Sequence, residues 1–140
     1  MSEIGFLLDT NIVSELRKSR PHPGVAAFVD GLDEDAMYVS ALTMGELRKG
    51  AVSKMRTDAA MGESLRQWIN EVEMLFRDRI LSVDASVADQ WGRLAAGRSR
   101  PIIDTLIAAT AMVHGMTLVT RNVADVRDTG VALVDPWSAG

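Results

Sequence analysis

Three acids, and an amide–acid pair near the carboxyl end, stand where this sequence could do chemistry. Asp9 closes the apolar run Ile4-Gly5-Phe6-Leu7-Leu8, and Glu46 lies just beyond Met37-Tyr38-Val39-Ser40. Asp104 is the only charged residue between Ile102 and Val113, while Asn122 and Asp125 follow Met116-Thr117-Leu118-Val119-Thr120. Each falls at or near the carboxyl end of a stretch that reads as a strand, or at the start of one that reads as a helix. An all-oxygen donor set of this kind suits Mg²⁺ or Mn²⁺, which keep several waters and take few carboxylates each. With no cysteine, and only His22 and His114, the chain excludes thiolate-bound zinc and leaves little for His-based metal chemistry.

Every acid also has a plain structural role to weigh. Asp9 could bond nearby amides in a turn, although Thr10 or Asn11 is the expected cap of the helix marked by Ile12, Val13 and Leu16. Thr43 and Glu46 have capping-box spacing, which would turn Glu46 back on its own helix. Gly45 beside it costs about 1 kcal/mol of helix propensity relative to Ala, which suggests a close approach at that turn. Asp84, after Ile80-Leu81-Ser82-Val83, reads as structural, with Ser86 and Asp89 as caps for a helix through Trp91 and Leu94. Asp104 is the sharpest case. Its helix is apolar all round and therefore buried, and a buried carboxylate costs several kcal/mol unless paired or metal-bound. Helix-dipole stabilisation and a salt bridge to Arg100 are the alternatives.

The elements that position these groups alternate strand and helix from end to end, which points to an α/β fold with a mainly parallel sheet. In such a sheet, strand carboxyl ends gather along one edge, where ligands bind. A long amphipathic stretch from about Thr57 to Arg79, with Leu65, Trp68, Ile69, Val72, Leu75 and Phe76 on one side, forms a helical hairpin with the helix before it. Lys18-Ser19-Arg20-Pro21-His22-Pro23-Gly24 is a basic loop. The 140 residues fit one domain, 1–140, with enough chain for a real core. The amino end carries no secretory pattern and no apolar run reaches membrane-spanning length, so the expectation is a cytoplasmic protein. A net charge of −4 argues against coating nucleic acid by electrostatics alone. It leaves a nuclease open, because metal ions offset catalytic carboxylates.

The motifs together resemble the PIN-domain ribonucleases of the VapC/FitB type, the toxin halves of bacterial toxin–antitoxin pairs. The resemblance is carried by Leu7-Leu8-Asp9-Thr10-Asn11, by Ser40 with Thr43-Met44-Gly45-Glu46-Leu47, and by Asp104-Thr105-Leu106-Ile107-Ala108-Ala109-Thr110-Ala111. Leu118-Val119-Thr120-Arg121-Asn122 and the closing Pro136-Trp137 complete it. It implies a three-layer sandwich whose mainly parallel five-stranded sheet runs 3-2-1-4-5 between helices. It also implies metal-dependent hydrolysis of RNA with Asp9, Glu46 and Asp104 as metal-binding acids, a homodimer, and a cognate antitoxin. The chain departs from the family at Asn122, where many relatives have Asp. Either Asn122 or Asp125 then completes the site, with Asn122 expected nearer because it directly follows Thr120-Arg121. Two other classes remain: a catalytically weak interaction module, and a phospho-receiver with Asp84 as acceptor. The receiver needs a lysine near the last strand, and none occurs after Lys54.

Overall fold

The computed structural model describes residues 5–138; Ile4, expected to open the first strand, lies outside them. Strands β1 (Phe6–Leu8), β2 (Met37–Ser40), β3 (Ile80–Leu81), β4 (Thr117–Val119) and β5 (Leu133–Val134) pair in parallel in the order β3-β2-β1-β4-β5. The helices are α1 (Thr10–Arg17), α2 (Pro23–Asp30), α3 (Ala41–Thr57), α4 (Ala59–Phe76), α5 (Ala85–Ala95), α6 (Ile102–Val113) and α7 (Val123–Val126). The expected sheet order is therefore observed.

The apolar run of β1 is buried on both faces because the sheet is covered on both. Leu8 packs into one core with Ile12, Val13, Val39, Leu47, Ile69 and Phe76, and Leu7 into the other with Ile107, Ala108, Ala111, Leu118 and Val126. Adjacent residues thus feed opposite layers, as the period of two in a strand requires. Truncating either leucine to Ala should cost about 2–5 kcal/mol. In α6 the fully buried Thr105 and Thr110 donate their hydroxyls to Pro101 O and Leu106 O at 2.6 and 2.8 Å, so polar side chains are carried in an apolar layer without orphaned groups. Only its ends emerge: Ile102 and Val113 are exposed, against the expectation of a helix buried throughout.

Several local expectations are corrected. Asp9 itself caps α1, its Oδ1 accepting from Thr10 N at 2.7 Å, because the strand ends one residue before the helix begins and leaves no room for a later cap. Ser40, not Thr43, caps α3 through Leu42 N at 3.0 Å, so no capping box forms and Glu46 is released from it. Asp84 caps α5 through Val87 N at 3.0 Å, which confirms its structural role; Asp89 instead pairs with Arg93. The third strand stops at Leu81, short of Ser82 and Val83. The α3–α4 hairpin forms as expected, but Leu75 falls on its exposed side. Nothing lies within 4 Å of a Cβ placed on Gly45, so no close approach explains it. Within the hairpin the glycine under that constraint is Gly62, where a Cβ would meet Met55 backbone atoms at 2.6 and 2.7 Å; only hydrogen lets α4 cross α3 there.

Candidate active site

The parallel topology delivers the acids to one edge. Asp9 leaves the carboxyl end of central β1, Glu46 rides the second turn of α3 after β2, and Asp104 sits in the first turn of α6. Asn122 and Asp125 follow β4 at the start of α7.

Asp9 is 4% exposed and held from three sides. Thr120 Oγ1 donates to its Oδ2 at 2.7 Å, Thr10 N to its Oδ1, and Asn11 Nδ2 reaches Oδ2 at 3.4 Å. Burial nonetheless pushes its carboxyl above the ordinary value; the Thr120 and Thr10 bonds oppose this and the charge of Glu46 adds to it. Glu46 Oε1 accepts from the Thr10 hydroxyl at 2.5 Å, and Thr10 in turn meets the fully buried Thr43 hydroxyl at 3.1 Å. Asp104 is half-buried and is pushed up to about 6, first by burial and then by the charges of Asp9, Asp125 and Glu46.

The alternative partner of Asp104 is engaged elsewhere. Arg100 pairs with Asp128 at 2.8 Å and donates to Leu94 O at 2.9 Å, and Arg98 joins the same carboxylate at 2.7 Å. Among the described residues, no Lys or Arg pairs with Asp9, Glu46, Asp104 or Asp125. Asp104 therefore stands in a field of like charge that no paired Lys or Arg offsets among the described residues.

Asn122 is exposed at the cap position of α7, with no capping bond from its side chain; its backbone N–H donates to Thr120 Oγ1 at 3.0 Å. Asp125 lies in the first turn of α7 and does not cap it, and its charge is felt at Asp104. The threonines were missed by reasoning from sequence. Thr10 stands next to Asp9 and Thr120 two residues before Asn122, but nothing in their spacing says that their hydroxyls bond carboxylates on other elements.

The PIN domain family matches residues 6–129. The chain belongs to the PIN-domain family. Among PIN-domain relatives, the toxin FitB of Neisseria gonorrhoeae is 33% identical over 139 residues, spanning 94% of this chain and 98% of its own. The VapC ribonuclease Y4jK of Sinorhizobium fredii is 32% identical, over 94% and 97% of the two chains. A solved PIN-domain neighbour, in the crystal structure of FitAcB from Neisseria gonorrhoeae, superposes with a TM-score of 0.86 at 32% identity, over 94% of this chain and 98% of that one.

Proposed function

We propose that this chain is a metal-dependent endoribonuclease that hydrolyses RNA phosphodiester bonds, acting as the toxin of a VapBC-type toxin–antitoxin pair. The observation that carries this is that Asp9 and Glu46, both bonded to Thr10, and Asp104 in the first turn of α6 share the carboxyl edge of the sheet, with no described Lys or Arg paired to them. Named relatives and solved neighbours, among them a VapC ribonuclease and toxin–antitoxin complexes, support the same reading.

The donor set fits a divalent ion. It is all oxygen, and among the described residues no group of three or more His, Asp or Glu side chains is placed to hold an ion unaided. Mg²⁺ accepts that arrangement, because it retains waters and is completed by one or two carboxylates and substrate phosphate. Of Asp9, Glu46 and Asp104, one or two would hold the ion directly and the rest through its waters, with Asn122 or Asp125 contributing at the rim. A bound Mg²⁺ or Mn²⁺ would supply water activation and charge neutralisation at the phosphate. The chain's own part is to keep the carboxylates fixed: Thr120 and Asn11 orient Asp9, and Thr10, backed by Thr43, orients Glu46. Such pre-set groups need no reorganisation when charge develops.

A homodimer, held inactive by an antitoxin that covers the acidic edge, completes the proposal. Among the described residues, no helix is long and apolar enough to cross a membrane. The test is cleavage of end-labelled RNA by purified protein with Mg²⁺ or Mn²⁺, beside Asp104→Asn. Equal cleavage by wild type and variant would overturn the assignment.

A further inference from the structure

A groove of about 390 Å³ runs from the acidic edge between α1 and the α3–α4 hairpin. Its two long walls are helical ladders that begin together and end alike. On α1 the ladder is Thr10, Ser14, then Arg17 with Lys18 beyond the helix end; on α3 it is Glu46, Gly50, Lys54. Residues at this spacing share one helix face, and Glu46 to Lys54 spans about 12 Å along the axis. The Thr10–Glu46 hydrogen bond at 2.5 Å ties the ladders at the acid end, and the far end is basic. Between them, Gly50 has nothing within 4 Å of where a Cβ would stand, so the path is open.

The basic end is built. Arg17 lies 5.8 Å from the Trp68 ring centre and donates to Ser64 Oγ at 3.3 Å, which holds its guanidinium at the groove wall. Lys18 shares the Glu15 carboxylate at 2.8 Å, while among the described residues no carboxylate pairs with Arg17 or Lys54. The third lysine of the chain, Lys49, lines a neighbouring groove of about 530 Å³ that shares Glu46 and Gly50 with this one. All three lysines of a chain with net charge −4 therefore stand on grooves that meet at Glu46.

Resting on the ribonuclease reading above, we infer that the groove between α1 and α3 holds the sugar–phosphate backbone of single-stranded RNA. Arg17 and Lys54 bind phosphates flanking the one presented to the acids. An acidic stretch of a protein partner would match the far end, but it would meet repulsion from Glu46 and its neighbours. A phosphodiester strand has reason to occupy both ends, provided the reacting phosphate arrives with its cation.

Anisotropy of an end-labelled oligouridylate with the intact protein and Mg²⁺, read on mixing before cleavage proceeds and over a series of monovalent salt, tests this. Lys54→Glu and Arg17→Glu should each raise Kd about tenfold or more and lower the slope of log K against log salt by roughly 0.7 per lost contact. Lys54→Arg should restore binding. Arg93→Glu, the same charge change on exposed α5, should leave Kd near wild type. No measurable binding by wild type, an unchanged Kd in both groove variants, or equal weakening by Arg93→Glu would overturn the inference. So would groove variants that bind RNA normally but no longer bind the antitoxin. Wild type that binds RNA in this groove-dependent way yet leaves it uncut with Mg²⁺ would uphold the groove and remove the ribonuclease reading.

Discussion

The Thr120 hydroxyl donates to Asp9 Oδ2 at 2.7 Å, joining the ends of two adjacent parallel strands that lie 111 residues apart in sequence. The same oxygen accepts from the Asn122 backbone N–H at 3.0 Å. One side chain thus sets both the central acid and the turn that carries Asn122 and Asp125.

Metal should be indispensable. Cleavage is expected with Mg²⁺ or Mn²⁺ and not with EDTA, because the site offers only oxygen donors. Full activity of contaminant-free protein in excess chelator would contradict this.

Asp9→Asn, Glu46→Gln and Asp104→Asn should each reduce cleavage about a hundredfold or more, a loss typical of removing one preorganised charge-stabilising group. Retention of activity by any one of them would take that residue out of the site.

Stability without metal should fall as pH rises through the Asp104 transition. Its carboxyl is raised from 3.8 to about 6 on folding, so the folded chain holds that proton more tightly than the unfolded one. The resulting stabilisation is complete below 3.8 and is lost as pH passes about 6. Asp9 acts in the same direction. In EDTA, Asp104→Asn should melt at or above wild type at about pH 7.5, and the difference should shrink towards about pH 5. A variant that melts well below wild type at the higher pH would show that Asp104 has a stabilising partner.

Thr10→Val should impair cleavage by about a hundredfold at most, through misplacement of Glu46, and Thr10→Ser should recover most of it. Equal activity of the Val and Ser variants would mean that the hydroxyl does not set Glu46.

Asp125→Asn should raise the Mg²⁺ concentration for half-maximal cleavage, since its charge reaches Asp104. Asn122→Asp should lower that midpoint by adding a carboxylate at the rim. If both midpoints match wild type, neither residue belongs to the ion's surroundings.

The backbone plan was legible because it rests on apolar periodicity. Leu7 and Leu8 feed opposite cores, and only a strand covered on both faces does that. Asp104 was legible for the opposite reason, as a lone charge in an uncharged helix. What escaped was set by single-residue geometry at helix starts. Whether Asp9 or Thr10 caps α1, and whether Ser40 or Thr43 caps α3, depends on where the strand stops. A difference of one residue at α1 and of three at α3 turned Thr10 and Thr43 from caps into the support of Glu46. Arg100 escaped as well: proximity in sequence suggested Asp104, but its partner Asp128 comes from beyond α7.

Because Asp9 is completed by Thr120, the site has a place in the order of synthesis. Asp9 leaves the ribosome long before β4, which pairs with β1 and brings Thr120 from 111 residues further on. A growing or prematurely released chain that stops before Thr120 carries Asp9 without the hydroxyl that fixes its Oδ2.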